Sequence, residues 1–439
     1  MAIEDDVLVI GGGLAGASAA LAAADRADAV RLLSYKQSSL RHASGLIDVL
    51  GYGPGGDGPL PDPFAAIEKL PAGHPYERIG ADAVRAALER FDRVAGDAYR
   101  GGHTERNALV ATSGGTVKPT ARYPTSTTAG LASDDRDALL VGFPSLPEFD
   151  APLAADHLHA AGVPFGVRGA TVEFPGEFRD DATLTRYAHA LDRDESLSTA
   201  SGSQPARRAL AAAVAAHHDD EERIGFPAVL GDEFGAEVRR ELADRLGADV
   251  FEVPTGPPSL LGLRLEELLY DALDAAGVRV RTGLPVVGYE GEGPGESGST
   301  HGKDSRRIDR VLVDRYDQEV PYRASEYVLA TGGLVGKGVR SDRDAPFEPI
   351  FDCHVGAPTD RYAWSESDAF GDHAFARFGL TVDRQLRPLD ADGEPEFANL
   401  RAAGAVLGGY DFAAEKSGAG VSLATGHVAG ERAGEVTNG

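Results

Sequence analysis

Gly11-Gly12-Gly13-Leu14-Ala15-Gly16 directly follows the apolar run Asp6-Val7-Leu8-Val9-Ile10 and opens an alanine-rich stretch. Glycines at the first, third and sixth positions of such a turn serve three needs. They permit a tight reversal, let backbone approach a phosphate, and let a helix seat closely on a strand. The helix start then offers free N–H groups and a positive dipole end to an anion. Gly11, Gly13 and Gly16 are therefore expected to bind the phosphate of a dinucleotide or flavin. Two further glycine-rich elements stand far downstream. Ala330-Thr331-Gly332-Gly333 follows the Tyr327-Val328-Leu329 strand, and the carboxyl end carries Gly404, Gly408-Gly409-Tyr410-Asp411 and Ser417-Gly418-Ala419-Gly420. The pattern predicts that Gly332, Gly404, Gly418 and Gly420 contact an isoalloxazine ring. Helix N–H groups would face the ring edge that gains negative charge on reduction. Three such elements in this order point to a flavoprotein rather than a nicotinamide dehydrogenase.

The second strand departs from the dinucleotide pattern. It should end in an acid that binds an adenosine ribose, but it runs into Ser34-Tyr35-Lys36-Gln37. Arg31, inside the strand, does not make a clean NADP signature either. Two readings stay open: Ser34 or Gln37 meets a ribose less strongly, or the adenosine half is absent. The second favours FMN over FAD.

Stepping outward, the elements that must hold these turns read as an α/β fold. Strands are expected at 6–10 and 30–34 with a helix at 14–24 between them, a βαβ unit that implies a parallel sheet. Strands return at 278–282, 310–314 and 326–331. Helices are expected at 81–98, 180–193, 206–218, 236–246 and 264–276, with 196–204 flexible and 290–307 a low-complexity hairpin tip. The expected organisation is a Rossmann-like flavin-binding domain, a parallel sheet flanked by helices, built from residues 1–74 plus 256–439. A second α+β domain, residues 75–255, is inserted into it as a substrate or cap domain.

Composition narrows the function classes. The chain has 439 residues, 43 basic against 69 acidic, and a net charge of −26. That field repels a phosphate backbone and anionic lipid, so nucleic acid is not an expected partner and membrane contact is expected only through another subunit. Only six of the basic residues are lysine. An acid-rich, lysine-poor surface suits a salt-rich, halophilic cytoplasm, where screening relieves self-repulsion. The charge-free stretch 7–24 reads as strand, turn and helix, because acids precede it and glycines interrupt it. Cys353 is the single cysteine, which leaves no disulfide and no iron–sulfur cluster held by this chain alone. His157 and His159 read as a helix face, so no metal site is expected. His217 and His218 are expected to be solvated at a helix end, and His42 is not expected to carry a covalent flavin.

Several scattered motifs resemble the B subunit of the anaerobic glycerol-3-phosphate dehydrogenase, within the flavoproteins similar to fumarate reductase. They are Gly11–Gly16, Gln37-Ser38 with Ser44-Gly45 and Asp48, His74-Pro75-Tyr76, Gly115-Thr116, Pro257-Pro258-Ser259 with Leu261-Gly262 and Arg264, and Leu407-Gly408-Gly409 with Asp411. The resemblance implies oxidation of sn-glycerol 3-phosphate to dihydroxyacetone phosphate, with electrons passed to quinone. It implies FMN in this chain, FAD as the alternative, and the A and C subunits of the dehydrogenase as partners, the latter bearing iron–sulfur clusters and the membrane attachment. It also adds Ser44 and Gly45 to the cofactor contacts. A phosphate-bearing substrate calls for a cation, and Arg264 and Lys118, each in a family-like stretch, are the catalytic candidates. Two rivals stand beside this reading. One is a stand-alone FAD-dependent oxidoreductase of another small substrate, and the other is a non-catalytic electron-relay flavin subunit.

Overall fold

Val7, Leu8 and Val9 are wholly inaccessible to solvent and Ile10 nearly so, as expected of a strand covered on both faces. In the computed structural model, which describes residues 3–176, 178, 183–199, 202–292, 306–369 and 371–437, this strand, Ile3–Ile10, lies inside a seven-stranded sheet. Across the sheet the order is Arg279–Thr282, Val30–Ser34, Ile3–Ile10, Glu319–Leu329, Arg307–Asp314 and Val286–Glu292, with Leu400–Ala402 paired to the end of Glu319–Leu329. The first four strands and Leu400–Ala402 run parallel, while the last two form an antiparallel meander.

Register decides what this sheet can do. Ile10 pairs with Leu33 on one side and Leu329 on the other, and Leu329 pairs with Ala402. The parallel strands therefore end level with one another, and the turns after them, at Gly11, Ser34, Ala330 and Ala403, emerge along one edge. Ligands of open parallel sheets bind at this carboxyl edge.

Two helices cover the strands behind that edge. Leu14–Ala24 and the C-terminal Gly418–Thr437 approach closely where small residues face each other. A methyl group added at Gly426 would overlap the Ala15 carbonyl, and one at Gly430 the Ala19 carbonyl. At Gly434 it would lie 2.8 Å from the Arg26 Cβ. The spacing of four places all three glycines on one helix face. Ser18 Oγ ties the pair by donating to the Leu423 carbonyl at 2.7 Å.

The chain divides into two units, residues 1–39, 48–94 and 268–439 in one and residues 40–47 and 95–267 in the other. The breaks fall after 94 and 267, where 74 and 255 were expected from sequence. Residues 75–94 stay with the first unit because the helix Ala81–Ala95 buries Val84, Ala87, Leu88 and Phe91, with Arg85 stacked 4.6 Å over Phe64. The second unit is built on a four-stranded sheet, ordered Asp249–Val253, Arg223–Pro227, Ala138–Gly142 and Val167–Thr171, parallel throughout. Leu139, Val141, Ile224 and Phe226 from its strands pack with Tyr187, Leu210, Val238 and Leu242 from its helices.

Two local expectations need correction. The segment 196–204 forms an antiparallel ribbon of Ser196–Thr199 with Gly202–Pro205. Its cross-strand contacts are hydroxyl ones, Ser196 Oγ to Ser203 Oγ at 2.7 Å, so it carries little of the apolar alternation that marks a strand. His218 is half-buried and its Nε2 bonds the Glu221 carbonyl at 2.8 Å rather than facing water. Residues 293–305 of the expected hairpin tip lie outside the described residues, but the strands on either side pair antiparallel.

Replacing Gly430 by Ala should destabilise the protein by about 1–3 kcal/mol, because backbone rather than a flexible side chain must yield. Gly356→Ala, at a site with open space around it, should stay within about 0.5 kcal/mol of the parent. Denaturant melts of the two variants in the same high-salt buffer make the comparison.

Candidate functional site

Along the carboxyl edge of the first unit's sheet the glycine turns touch one another. Gly11 has a φ of +126°, and a side chain there would collide with the Ala330 carbonyl. Gly16 passes the Gly11 carbonyl so closely that a methyl would overlap it. Gly333 lies where a Cβ would be 2.6 Å from the Ala405 oxygen. Gly404, at a φ of +76°, faces Ala15, with 2.6 Å between the Ala15 Cβ and the position a Cβ would take. Its N–H donates to Thr425 Oγ1 on the C-terminal helix at 2.9 Å. Gly11, Gly13, Gly16, Gly332 and Gly404 thus lie in turns along one sheet edge.

The start of the helix Leu14–Ala24 fits a phosphate. Gly13 holds an extended conformation, no side chain caps the helix, and the nearest atom to a Cβ at Gly13 is Ser39 Oγ, 3.9 Å away. The first N–H groups of a helix lack intrahelical partners, and among the described residues no carboxylate or hydroxyl bonds them here. Gly12 is held from behind, its carbonyl accepting from Tyr270 Oη at 3.1 Å. The acid expected after the second strand is absent, and Ser34 Oγ donates to the Lys36 carbonyl at 2.6 Å. Arg31 forms a buried pair with Asp5 at 2.6 Å, and Arg279 reaches the same carboxylate at 2.9 Å. Arg31 is a sheet-bracing residue, not a phosphate contact.

Gly418 and Gly420 behave differently from expectation. Their helix start is already capped: Asp48 Oδ1 accepts from the Ala419 N–H at 2.9 Å and the Asp48 carbonyl accepts from the Gly420 N–H at 2.7 Å. Gly420 lacks a side chain because Asp48 and Tyr76 pass directly over it, and Gly418 packs on the Phe412 ring. Both glycines allow close packing, and the amides of Ala419 and Gly420 are already taken by Asp48.

Ser44, Gly45, Lys118 and Arg264 belong to the second unit. Gly45 takes a φ of +75° against Leu261, and its carbonyl accepts from Tyr99 Oη at 2.7 Å. Ser44 Oγ lies 3.5 Å from the Leu46 nitrogen. Lys118 is half-buried on the ribbon Val117–Thr120. Arg264 is spent on a fully buried acid: Nη1 and Nη2 donate to the Glu252 carboxylate at 2.6 and 3.1 Å, and Nη2 also donates to the Gly231 carbonyl. The arginine holds the Glu252 carboxyl below its ordinary range despite its burial.

Sequence reading left a buried polar cluster without a role. His74 Nδ1 accepts from the Tyr76 N–H at 3.0 Å, so Nε2 carries the proton and donates to Glu415 Oε2 at 3.0 Å. Glu415 also accepts from the Asp411 N–H and from Ser417 Oγ. Tyr76 Oη donates to the Val49 carbonyl at 2.8 Å, while the Tyr410 hydroxyl is buried without a partner. Burial pushes both phenols well above the usual tyrosine range. Asp48, His74, Tyr76 and Asp411 all stand in quoted motifs, so their convergence was signalled by residue identity, but Glu415 was not. Ser422, whose Oγ lies 3.5 Å from the Cβ position at Gly404, is a second omission and sits among the gathered glycines.

The free helix start is testable by giving it its own anion. Gly13→Asp should change the stability of the flavin-free protein by only a few tenths of a kcal/mol, since Gly and Asp are both accepted at an N-cap. Flavin affinity should fall at least about tenfold, because the carboxylate takes the amides and repels the phosphate. Fluorescence titration of the flavin-free variant, paired with its melt, separates the two effects.

Residues 6–421 match the model of the FAD binding domain family. The chain is 60% identical over 435 residues to the probable B subunit of the anaerobic glycerol-3-phosphate dehydrogenase of Halobacterium salinarum, covering 99% of each. It is 31% identical over 441 residues to the B subunit of the anaerobic glycerol-3-phosphate dehydrogenase of Pectobacterium atrosepticum, covering 97% of each. Among solved structures, an open conformation of a flavocytochrome c3 fumarate reductase matches at 12% identity with a TM-score of 0.43, over 99% of this chain and 79% of that one. The chain belongs to the FAD-binding-domain proteins and, within them, to the family of B subunits of the anaerobic glycerol-3-phosphate dehydrogenase.

Proposed function

We propose that this flavoprotein oxidises sn-glycerol 3-phosphate to dihydroxyacetone phosphate as the B subunit of a multi-subunit enzyme, with electrons leaving to quinone through the A and C subunits. The observation that carries the reading is the uncapped helix start at Gly13, surrounded by Gly11, Gly332 and Gly404 on one sheet edge. The relatives' names supply the substrate and the subunit role. When bound, the flavin accepts a hydride from the alcohol carbon. The chain's own residues do the rest. The Gly11–Gly13 turn and the amides after it hold the cofactor phosphate, and Gly332, Gly404 and Ser422 let backbone approach the ring. The second unit, in the role of a substrate or cap domain, supplies a cation for a phosphorylated substrate, with Lys118 as the candidate. Because Arg264 is neutralised by Glu252, its part is to position the Glu252 region rather than to supply net charge.

FMN is the proposed flavin, with FAD as the alternative that the family description carries. The strand end at Ser34 supports FMN, since its hydroxyl is engaged by Lys36 and no acid stands there to take a ribose. The proposed location is the cytoplasm, with any contact at the inner face of the membrane made through a partner subunit. No helix among the described residues is long and apolar enough to cross a membrane.

Two measurements on the protein purified in high salt test this reading. Acid release followed by chromatography should yield FMN; FAD would mean that the adenosine ribose is held without an acid at Ser34. Glycerol 3-phosphate should reduce an artificial dye acceptor with the isolated chain. Oxidation of an unrelated substrate instead would favour the stand-alone oxidoreductase, and a rate wholly dependent on the added A subunit would favour the electron relay.

A further inference from the structure

Two ribbons of the second unit border a cavity. Tyr99–Arg100 pairs with Tyr123–Pro124, and Ala108–Ala111 pairs with Val117–Thr120. The loop 101–107 joins the first strand of each ribbon. Gly101 opens it at a φ of +108°, where a Cβ would overlap the Ala121 carbonyl, so only glycine lets the chain turn away at that point. The Arg106 N–H then donates to Thr104 Oγ1 at 3.2 Å and tightens the loop. The cavity beside it measures about 440 Å³, and its lining includes His103, Thr104, Arg106, Ala108, Tyr123 and Leu131. That size, and the mixture of apolar surface with a few polar groups, is usual for a small-molecule site.

Tyr123 is the first sign that something binds there. It is only 5% exposed, and its ring packs with Leu46 and Val110. Among the described residues its hydroxyl has no hydrogen-bond partner. Tyr99, on the facing ribbon strand, instead donates to the Gly45 carbonyl at 2.7 Å. A buried phenol usually finds an acceptor, and the cavity is the place left for Tyr123 to meet one. Burial raises its pKa against the opposing pull of Arg100, so the hydroxyl stays protonated and able to donate.

Charge is the second sign. The chain carries −26 overall, and a cavity of about 470 Å³ in the first unit has Glu4, Asp5, Asp6 and Asp309 in its lining. None of the described residues lining the second-unit cavity is an acid. Arg106 and His103 are exposed, and among the described residues neither side chain makes a hydrogen bond or an ion pair. Thr104 Oγ1 already accepts from Arg106, which leaves its own proton to give. The fork of Arg106 with the single donors of His103, Thr104 and Tyr123 outnumbers the roughly four acceptor sites of a carboxylate. A phosphate monoester has three strong acceptor oxygens and more negative charge, and it suits this set better. Ala108, Leu131 and the Tyr123 ring supply apolar surface for the rest of the ligand.

We propose that the second unit binds a phosphate monoester in this cavity, with its phosphate held by Arg106, His103, Thr104 and Tyr123. The ester is either the substrate, which rests on the function proposed above, or a different small phosphate ester.

The test is calorimetric titration of the full-length protein with phenyl phosphate, at fixed high ionic strength set by potassium chloride. Its flavin is kept in place so that the amides after Gly13 are not open to the probe. The parent should bind phenyl phosphate. Arg106→Gln should weaken binding at least about tenfold, because a charge-assisted fork is lost. Tyr123→Phe should weaken it about three- to tenfold and leave the melting temperature unchanged, since the hydroxyl bonds nothing in the protein itself. Displacement of the probe by glycerol 3-phosphate assigns the site to the substrate; indifference assigns it to a different ester. Absence of binding in the parent, or unchanged binding in either variant, overturns the site. If glycerol 3-phosphate fails to reduce the dye while phenyl phosphate still binds, the functional reading falls and the site stands.

Discussion

The contact on which the first unit depends is that between two helices from opposite ends of the chain. Ser18 and Leu423 are 405 residues apart yet share a hydrogen bond, and around them Ala15, Ala19 and Ala23 face Gly426, Gly430 and Gly434. Side chains of ordinary size keep helix axes about 8–10 Å apart. With none on one side and methyl groups on the other, backbone meets backbone, and dispersion and weak Cα–H···O contacts replace interdigitated side chains. The same contact brings Gly404 against Ala15 and Thr425 against the Gly404 amide. The helix pair therefore both closes the unit and sets the spacing of the turns at its sheet edge. A long excursion between the two ends is tolerated because loop-closure entropy grows only with the logarithm of length.

Charge is organised differently inside and outside. Asp5 holds Arg31 and Arg279, and Glu326, almost wholly buried, holds Arg401. These pairs are shielded from salt by the protein around them, whereas exposed pairs such as Arg85 with Asp82 are screened and contribute little. Burial raises the Glu326 pKa even with Arg401 beside it, so the carboxyl needs that partner to stay ionised. The arginines visible in the sequence thus fall into classes that composition cannot separate: braces such as Arg31, and partners of buried acids such as Arg264 and Arg401.

What was legible in the sequence follows the strength of local signals. The first strand, its turn and the helix Leu14–Ala24 were readable because a wholly apolar run, then glycines, then alanines leave little else for the chain to do. The level ends of the strands followed once the downstream strands were placed, although Glu319–Leu329 begins seven residues before the apolar stretch that announced it. The parallel sheet of the second unit was not readable. Its strands are five residues each, too short for a period to emerge, and Val167–Thr171 is broken by Arg168 and Gly169. Pairings across the chain left no trace at all. His74 and Glu415 are 341 residues apart, and nothing in either neighbourhood announces the other. Arg264 was identified by residue type and motif, but its commitment to Glu252 is a three-dimensional fact.

The two helix starts in the first unit illustrate why a motif is not yet a site. Both begin in glycine-rich turns, and both present N–H groups that lack intrahelical partners. At Gly418 the chain supplies its own anion: Asp48 caps the end, and its carboxylate offsets the positive charge there. Asp48 is nearly buried and sits beside the His74–Glu415 pair, so the cap is built in. At Gly13 no side chain among the described residues bonds the amides. A ligand anion gains most where the dipole is uncompensated and the donors are empty, so the first helix start is better suited to a phosphate than the last, as proposed above. The last helix contributes by shape, through the small residues that let it lie against its partner and through the bond from the Gly404 amide to Thr425. One glycine-rich helix start keeps its amides open, and the other is closed by Asp48 and by close packing.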